Sequence, residues 1–281
     1  NWIDGSQTNY LLGLSYGNHS ESKHYEFMGN FDFDIKITDW LIFSSVNNLK
    51  YTNSASNSYT DPRTESVSNV AGRLEESRGE VTRRYTNQKF LFNKNFDKHY
   101  ITGLLAYEFN DYHYKNIYAA GTGFVPGFQV LDVTAIPEAA SGGISEWAMQ
   151  SYFTQWKYTY DNKYMAEVSL RRDGRSNFGD NAKYGNFFSF SGGWNINNEE
   201  WFNADWVNSL KLRASYGSVG NRPSSLYPQY DLYSASSSYN EQAGALIQVI
   251  GNKDLTWEKT FTTGIGVDAS FFNNRLHMVF D

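Results

Sequence analysis

The chain has 281 residues, 40% hydrophobic and 17% aromatic, with a formal net charge of −6 and no cysteine. The lack of cysteine excludes disulfides, thiolate zinc sites and cysteine nucleophiles. The acidic balance, with no basic cluster to neutralise phosphates, excludes nucleic acid as a partner. No apolar stretch approaches the roughly 20 residues of a spanning helix, yet the chain holds 20 Phe, 21 Tyr and 8 Trp at a mean hydropathy of −0.58. A membrane β-barrel averages to this composition, because its lipid face is apolar, its lumen face polar and its loops wet. A soluble β-sandwich is equally compatible with it. The chain begins at Asn1, which points to processing or to a piece of a longer protein.

A period of two runs along almost the whole sequence. Tyr10, Leu12, Leu14 and Tyr16 alternate with Leu11, Gly13, Ser15 and Gly17, which predicts a first strand. From Lys23 to Ile37, Tyr25, Phe27, Gly29, Phe31, Phe33, Ile35 and Ile37 form an apolar face. Glu26, Met28, Asn30, Asp32, Asp34 and Lys36 form the opposite one. Successive side chains of a strand point to opposite faces, so Phe31 is expected on lipid and Asn30 on a lumen. This strand exceeds the five or six residues usual in a small sandwich. Strands near 40–52 and 82–94 show a less regular alternation. Tyr152, Trp156, Tyr158 and Tyr160 then oppose Ser151, Gln155, Lys157 and Thr159, and Tyr164, Ala166, Val168 and Leu170 oppose Met165, Glu167, Ser169 and Arg171. The same pattern returns at 188–196, at 210–217 and at 260–269. Aromatic residues near the predicted strand ends (Trp40, Tyr100, Tyr160, Trp194, Trp257, Phe271) suit the girdles that barrels carry at both membrane interfaces. Cross-strand packing in a soluble sheet would also place rings there.

Short connections at Thr38-Asp39, Asn95–His99, Asp161–Lys163 and Phe272–Asn274 alternate with long ones near 53–82, 113–148, 173–185 and 220–255. The stretch Asn197–Asn208 is of middle length, with a helical turn predicted around Glu199–Phe202. Short turns on one side and long loops on the other are the pattern of an outer-membrane barrel. The link at Asn18–Ser22 breaks the order, being short on the long side. About eleven strands result, an odd number that cannot close as an antiparallel barrel. Further strands are therefore expected beyond both ends.

Catalytic and metal signals are absent. Asp32 and Asp34 share a face with Glu26, Asn30 and Lys36, which reads as a polar wall. The histidines His19, His24, His99, His113 and His277 lack ligand spacing. Gly121-Thr122-Gly123 is too short for a phosphate loop. The stretch Arg63–Arg84 mixes charges of both signs and reads as loop exterior. Asp173, Gly174, Gly179 and Asp180 look like a hairpin tip. The Tyr- and Ser-rich stretch Leu226–Tyr239 offers Tyr227, Tyr230, Tyr233 and Tyr239 as candidate substrate contacts, since tyrosine combines a flat face with a hydroxyl. Packing against neighbouring loops fits them equally well.

Between 164 and 276 the chain resembles the SusC/RagA-type TonB-dependent transporters. The segments that carry the resemblance are SLRRDGRSNFGDNAKYGNFFSFSGGWNINNEEWF (Ser169–Phe202), LKLRASYGSVGN (Leu210–Asn221), GNKDLTWEKT (Gly251–Thr260) and FFNNRL (Phe271–Leu276). A weaker match covers ITDWL at Ile37–Leu41 and YEF at Tyr107–Phe109. The resemblance implies a barrel of about 22 strands filled by an N-terminal plug domain. It further implies energy supplied through the TonB complex, a SusD-like surface lipoprotein over the mouth, and oligosaccharide or peptide substrates.

The expectation is thus an all-β, antiparallel transmembrane β-barrel segment with long extracellular loops, residues 1–281 forming part of one barrel domain without its plug. It would lie in a Gram-negative outer membrane, in contact with lipid, and act as a transporter wall with no cofactor, metal or catalytic residue. The alternatives are a soluble β-sandwich that binds glycans or acts as an adhesin, and a glycoside hydrolase with paired carboxylates.

Overall fold

The computed structural model describes residues 10–179, 182–222, 224–239 and 242–281. One short helix, α1 (Tyr10–Ser15), precedes twelve strands. These are β1 (His19–Thr38), β2 (Leu41–Thr60), β3 (Arg73–Phe96), β4 (His99–Thr122), β5 (Ile136–Tyr160), β6 (Tyr164–Arg175), β7 (Tyr184–Asn195), β8 (Val207–Asn221), β9 (Leu232–Tyr239), β10 (Gln242–Val249), β11 (Glu258–Phe271) and β12 (Leu276–Phe280). Ten of them form one sheet in the order β1-β2-β3-β4-β5-β6-β7-β8-β11-β12, and β9 and β10 pair as a separate hairpin. Next-neighbour order throughout is that of an up-and-down meander, and the registers from β5 to β12 are antiparallel.

Several sequence expectations need correction. The segment Tyr10–Tyr16 is helical rather than a strand: Tyr16 N–H donates to Leu12 O at 3.1 Å and Asn18 N–H to Gly13 O at 3.0 Å. Alternation over so few residues does not separate a strand from a single helical turn. With that strand gone, Asn18–Ser22 no longer joins two strands, and the break in the alternation of short and long connections disappears. The stretches 53–82 and 113–148 are largely strand, because β2 runs to Thr60, β3 starts at Arg73, β4 runs to Thr122 and β5 starts at Ile136. The β2 extension is polar on both faces (Asn53, Ser54, Ser56, Asn57 and Ser58), and the others mix polar and apolar residues without a steady period of two, although each is continuous strand. At 20–25 residues, β1 to β5 are about twice the 9–11 residues that cross a bilayer. The stretch 220–255 contains the β9–β10 hairpin, which the period missed. The helical turn expected around Glu199–Phe202 is present, Phe202 N–H donating to Glu199 O at 3.1 Å, and a 3-10 turn at Ile196–Asn198 precedes it. Asp180 lies outside the described residues.

The chain falls into two compact units, and β1 to β5 contribute residues to both. The first comprises residues up to Gly29, Asn48–Arg84 and Tyr112–Glu146. Its core is Tyr59, Leu74 and Phe124, with Leu131 and Val133 packed against them. Beside it Asp61 is fully buried. The Asp61 carboxylate accepts hydrogen bonds from Tyr59 Oη at 2.8 Å, from Arg63 N–H at 3.0 Å, and from Arg63 Nε and Nη2 at 2.8 and 3.0 Å. Arg63 stacks over Tyr16, 4.2 Å from its centroid. Asn18 Oδ1 accepts from Asp61 N–H at 2.8 Å, and its Nδ2 donates to Thr64 Oγ1 at 2.9 Å. Asp61 thereby joins the start of β1, the end of β2 and the loop that follows.

The second unit comprises Asn30–Asn47, Tyr85–Asp111 and Trp147–Asp281. Its loop core is Phe178, Phe187 and Trp257, with Leu255 against them. Trp257 is therefore not a girdle residue: its ring lies 4.7 Å from that of Phe178, and its Nε1 donates to Lys183 O at 3.1 Å. Gly179 is required there, since a Cβ would overlap Lys253 O. The short hairpins carry left-handed residues. Asp161 and Asn162 have φ of 50° and 53°, and Lys163 N–H donates to Tyr160 O at 2.8 Å. This is the turn whose twist matches that of paired strands. Neighbouring turns are tied together: Asp161 N–H donates to Lys98 O at 2.8 Å, Asn195 Nδ2 to Asn162 O at 2.7 Å, and Asn198 Nδ2 to the same oxygen at 2.9 Å. The Lys98 ammonium, 2.9 Å from Asp161, holds that carboxyl below the usual carboxylate range.

The buried Asp61 gives a test. Hydrogen bonds from Arg63, chiefly its side chain, lower its pKa from 3.8 to about 2. The folded pKa lies below the unfolded one, so the stabilisation is complete above about pH 4 and is lost as pH falls through about 2. Asp61→Asn in the full-length protein should cost about 1–3 kcal/mol at neutral pH. It should also flatten the acid limb of stability between pH 4 and 2, measured by thermal unfolding in micelles. An unchanged acid limb would remove Asp61 from this role.

Candidate functional site

Register divides the second unit into two faces. Tyr164↔Trp194, Ala166↔Gly192, Val168↔Phe190 and Leu170↔Phe188 point one way; Met165↔Gly193, Glu167↔Ser191 and Ser169↔Ser189 point the other. The apolar face continues through Leu212, Ala214 and Tyr216 of β8 to Val267, Ile265 and Thr263 of β11. Its large side chains are exposed: Phe190 is 49% accessible and Ile265 73%. The band ends on β6 where Arg172 follows Leu170 on this face.

Rings line both ends of the band. Along the short-turn end, His99 stacks on Phe96 at 5.3 Å and on Tyr158 at 5.9 Å, and packs against Tyr160 at 5.0 Å. The row continues from Tyr160 to Tyr164 at 6.5 Å, to Trp194 at 6.4 Å and to Trp201 at 6.2 Å. Glu199 beneath it accepts from Tyr164 Oη at 2.6 Å and from Trp194 Nε1 at 2.9 Å, and these bonds hold its carboxyl below the usual range. At the other end Phe188, Tyr216 and Phe261 pack within 6.4 Å of one another.

The polar face is built from charge clusters and small residues. Glu108 accepts from Tyr85 Oη at 3.3 Å and lies 3.7 Å from Arg171, which also holds Asp173 at 2.6 Å and donates to Ser151 Oγ at 3.0 Å. Glu167 pairs with Lys157 at 3.4 Å, and Arg213 with Asp268 at 3.2 Å. Between the last two clusters lies a concavity of about 720 Å³. Ser191, Gly193, Ser215, Gly264 and Gly266 form its floor, and Lys157, Lys211 and Arg213 stand at its rim. Small floor residues under long charged ones leave room for a polar solute or for polypeptide.

Tyr227 is half-buried in a turn whose closing bond runs from Tyr230 N–H to Tyr227 O at 3.3 Å. Tyr230 and Tyr233 are 55% and 58% accessible, Tyr233 on β9 opposite Ile247. The Tyr239 side chain lies outside the described residues. The polar-face concavity was not singled out from the sequence, although its signal was there: glycine or serine at alternate positions of three strands, 189–193, 215–217 and 264–266, on the polar side of the period. Among the described residues no group of three His, Asp or Glu side chains could hold a metal ion.

Residues 2–281 match the family described as TonB dependent receptor-like, beta-barrel. The chain is 30% identical over 256 residues to TonB-dependent receptor P39 of Formosa agariphila, covering 88% of this chain and 24% of that protein. It is 25% identical over 298 residues to TonB-dependent receptor SusC of Bacteroides thetaiotaomicron, covering 96% of this chain and 28% of that one. Among solved structures, the RagAB peptide transporter superposes with a TM-score of 0.82 at 25% identity, over 94% of this chain and 30% of its own. The chain thus spans about a quarter of the length of the relatives it matches. With its antiparallel sheet, apolar outer face and polar inner face, the chain belongs to the TonB-dependent receptor β-barrel family.

Proposed function

We propose that this chain forms part of the wall of an outer-membrane transporter that imports bulky nutrients, oligosaccharides or peptides. A SusD-like surface lipoprotein would cover its mouth, and the TonB complex would supply energy through a plug elsewhere in a longer chain. One observation carries the reading: a ten-stranded sheet with exposed, ring-bordered apolar side chains on one face and paired charges over a small-residue floor on the other. Lipid needs no second sheet to cover the first face, and a hydrated lumen suits the second.

The edges point to the longer chain. β1 and β12 end the strand order, and an open edge leaves unpaired N–H and C=O groups that cost several kcal/mol each in hydrocarbon. Further strands of the same polypeptide would satisfy them. A soluble sandwich is disfavoured because the other sheet among the described residues is only the β9–β10 hairpin, too small to cover the apolar face. A glycosidase is disfavoured because on the polar face of β5 to β11 the carboxylates Glu167, Asp173 and Asp268 are each engaged by a cation. The exposed Tyr230 and Tyr233 are the proposed loop contacts for substrate.

Three measurements on the full-length protein test this. Arginine on lipid costs about 2–4 kcal/mol at mid-bilayer, so Phe190→Arg should impair folding and Ser191→Arg should not, read by heat-modifiable electrophoretic mobility. Equal tolerance would reverse the faces. An epitope tag at Ser66, in the loop between β2 and β3, should label on intact cells, whereas one at Asn162 should label only after permeabilisation; the opposite result inverts the topology. A deletion strain should lose growth on some oligosaccharide or peptide carbon source and regain it with the gene. Unchanged growth across both panels would sink the import reading.

A further inference from the structure

Arg175, at the loop end of β6, is 5% accessible. Its Nε donates to Asn177 Oδ1 at 2.7 Å, and its guanidinium lies 4.4 Å from the centre of the Trp147 ring. Asn177 is itself buried and donates to Leu226 O. Gln229, also buried, donates to Ser176 O at 3.1 Å, but its Oε1 has no donor. The ion pairs among the described residues include neither Arg175 nor Arg222. The nearby carboxylate of Asp173 is held by Arg171 at 2.6 Å. Arg222, exposed at the end of β8, lies near enough to act on Arg175 as a like charge.

A buried guanidinium balanced by a neutral amide and an aromatic face, with a second guanidinium close by, is expensive unless an anion completes it. Burial, aided by Arg222, pulls the Arg175 pKa down to about 10, the direction expected where no described carboxylate pairs with it. A buried acceptor without a donor shows in turn that the described residues do not close the cluster by themselves.

We propose that Arg175 and Arg222 form an anion seat for a carboxylate on a ligand that carries an N–H or O–H beside that group. The planar guanidinium fork matches a carboxylate in two-point contact, and the adjacent donor would serve the Gln229 oxygen. Trp147 and Asn177 hold Arg175 in place. A peptide C-terminus and a uronic acid of an acidic oligosaccharide both present this chemistry. The seat depends only on the fold of the second unit, and it would exist whether or not the protein imports what it binds.

The test is calorimetric titration of the full-length protein in detergent micelles. One arm uses N-acetyl-glycylglycine and its C-terminal amide, the other trigalacturonate and its methyl ester. At least one acid should bind, and its neutral counterpart should bind at least tenfold more weakly; the arm that binds identifies the source. Arg222→Gln, at an exposed site, should weaken the acid several-fold. Arg175→Lys, which keeps the charge and removes the fork, should weaken it about tenfold, with heat-modifiable mobility confirming the fold. Binding of neither acid, equal binding of acid and neutral form, or wild-type binding by both variants would overturn the proposal.

Discussion

Everything in this structure follows from the need to pair the backbone of each strand with that of its neighbour. In hydrocarbon an unmade N–H···O=C bond has no water to replace it, so a strand is stable only between two others. Pairing fixes register, and register fixes which side chain lies on which face, since a slip of one residue would exchange lipid and lumen along the whole strand. The match of Glu167 to Ser191 and of Val168 to Phe190 therefore does more than stabilise two strands. It places charge on the inner wall and rings on the outer one.

The short-turn end shows how that register is locked. Asp161 and Asn162 adopt left-handed geometry, which short polar side chains tolerate better than others. The freed backbone and amide groups then reach adjacent turns, as Asn195 and Asn198 both do toward Asn162 O. Directly outside this polar row runs the aromatic row from Phe96 to Trp201. A layer of turns bonded to one another and a layer of amphipathic rings together mark a boundary between water and apolar surroundings. Phe272 is the exception to the turn chemistry: a bulky residue with φ of 55°, held by stacking on Trp206 at 6.1 Å.

What could be read from the sequence was whatever repeats with a period of two against an apolar face. That covered β1, β5 to β8 and β11, the alternation of short and long connections, and the rings at Tyr160, Trp194 and Phe271. Where both faces are polar, as in the β2 extension, or the alternation is irregular, as in those of β3 to β5, the period vanishes, and so these extensions looked like loop although each is continuous strand. Trp257 looked like one more ring at a strand end. Only the packing of Phe178 and Phe187 shows that it closes a loop core instead. Asp61 sat in the stretch 53–82 that read as a long loop, two residues before the mixed-charge run that starts at Arg63. Its burial among Tyr59 and Arg63 of its own segment is completed by Asn18, 43 positions away, a meeting that spacing along the chain does not encode.

The two kinds of polar cluster in this protein divide the same way. Those on the inner wall, such as Arg213 with Asp268, join residues of paired strands, so each is the local consequence of register and could have been listed strand by strand. Arg175 differs because its surroundings come from the loop after β6, the start of the second unit's third segment at Trp147, and the loop after β8. Loops of one barrel end can bring together charges that no strand would hold side by side, since no ladder obliges them to alternate. A rigid wall that sets the positions of loop ends, with the loops free to gather like charges, is an arrangement in which binding groups can vary without disturbing the pairing on which the fold depends.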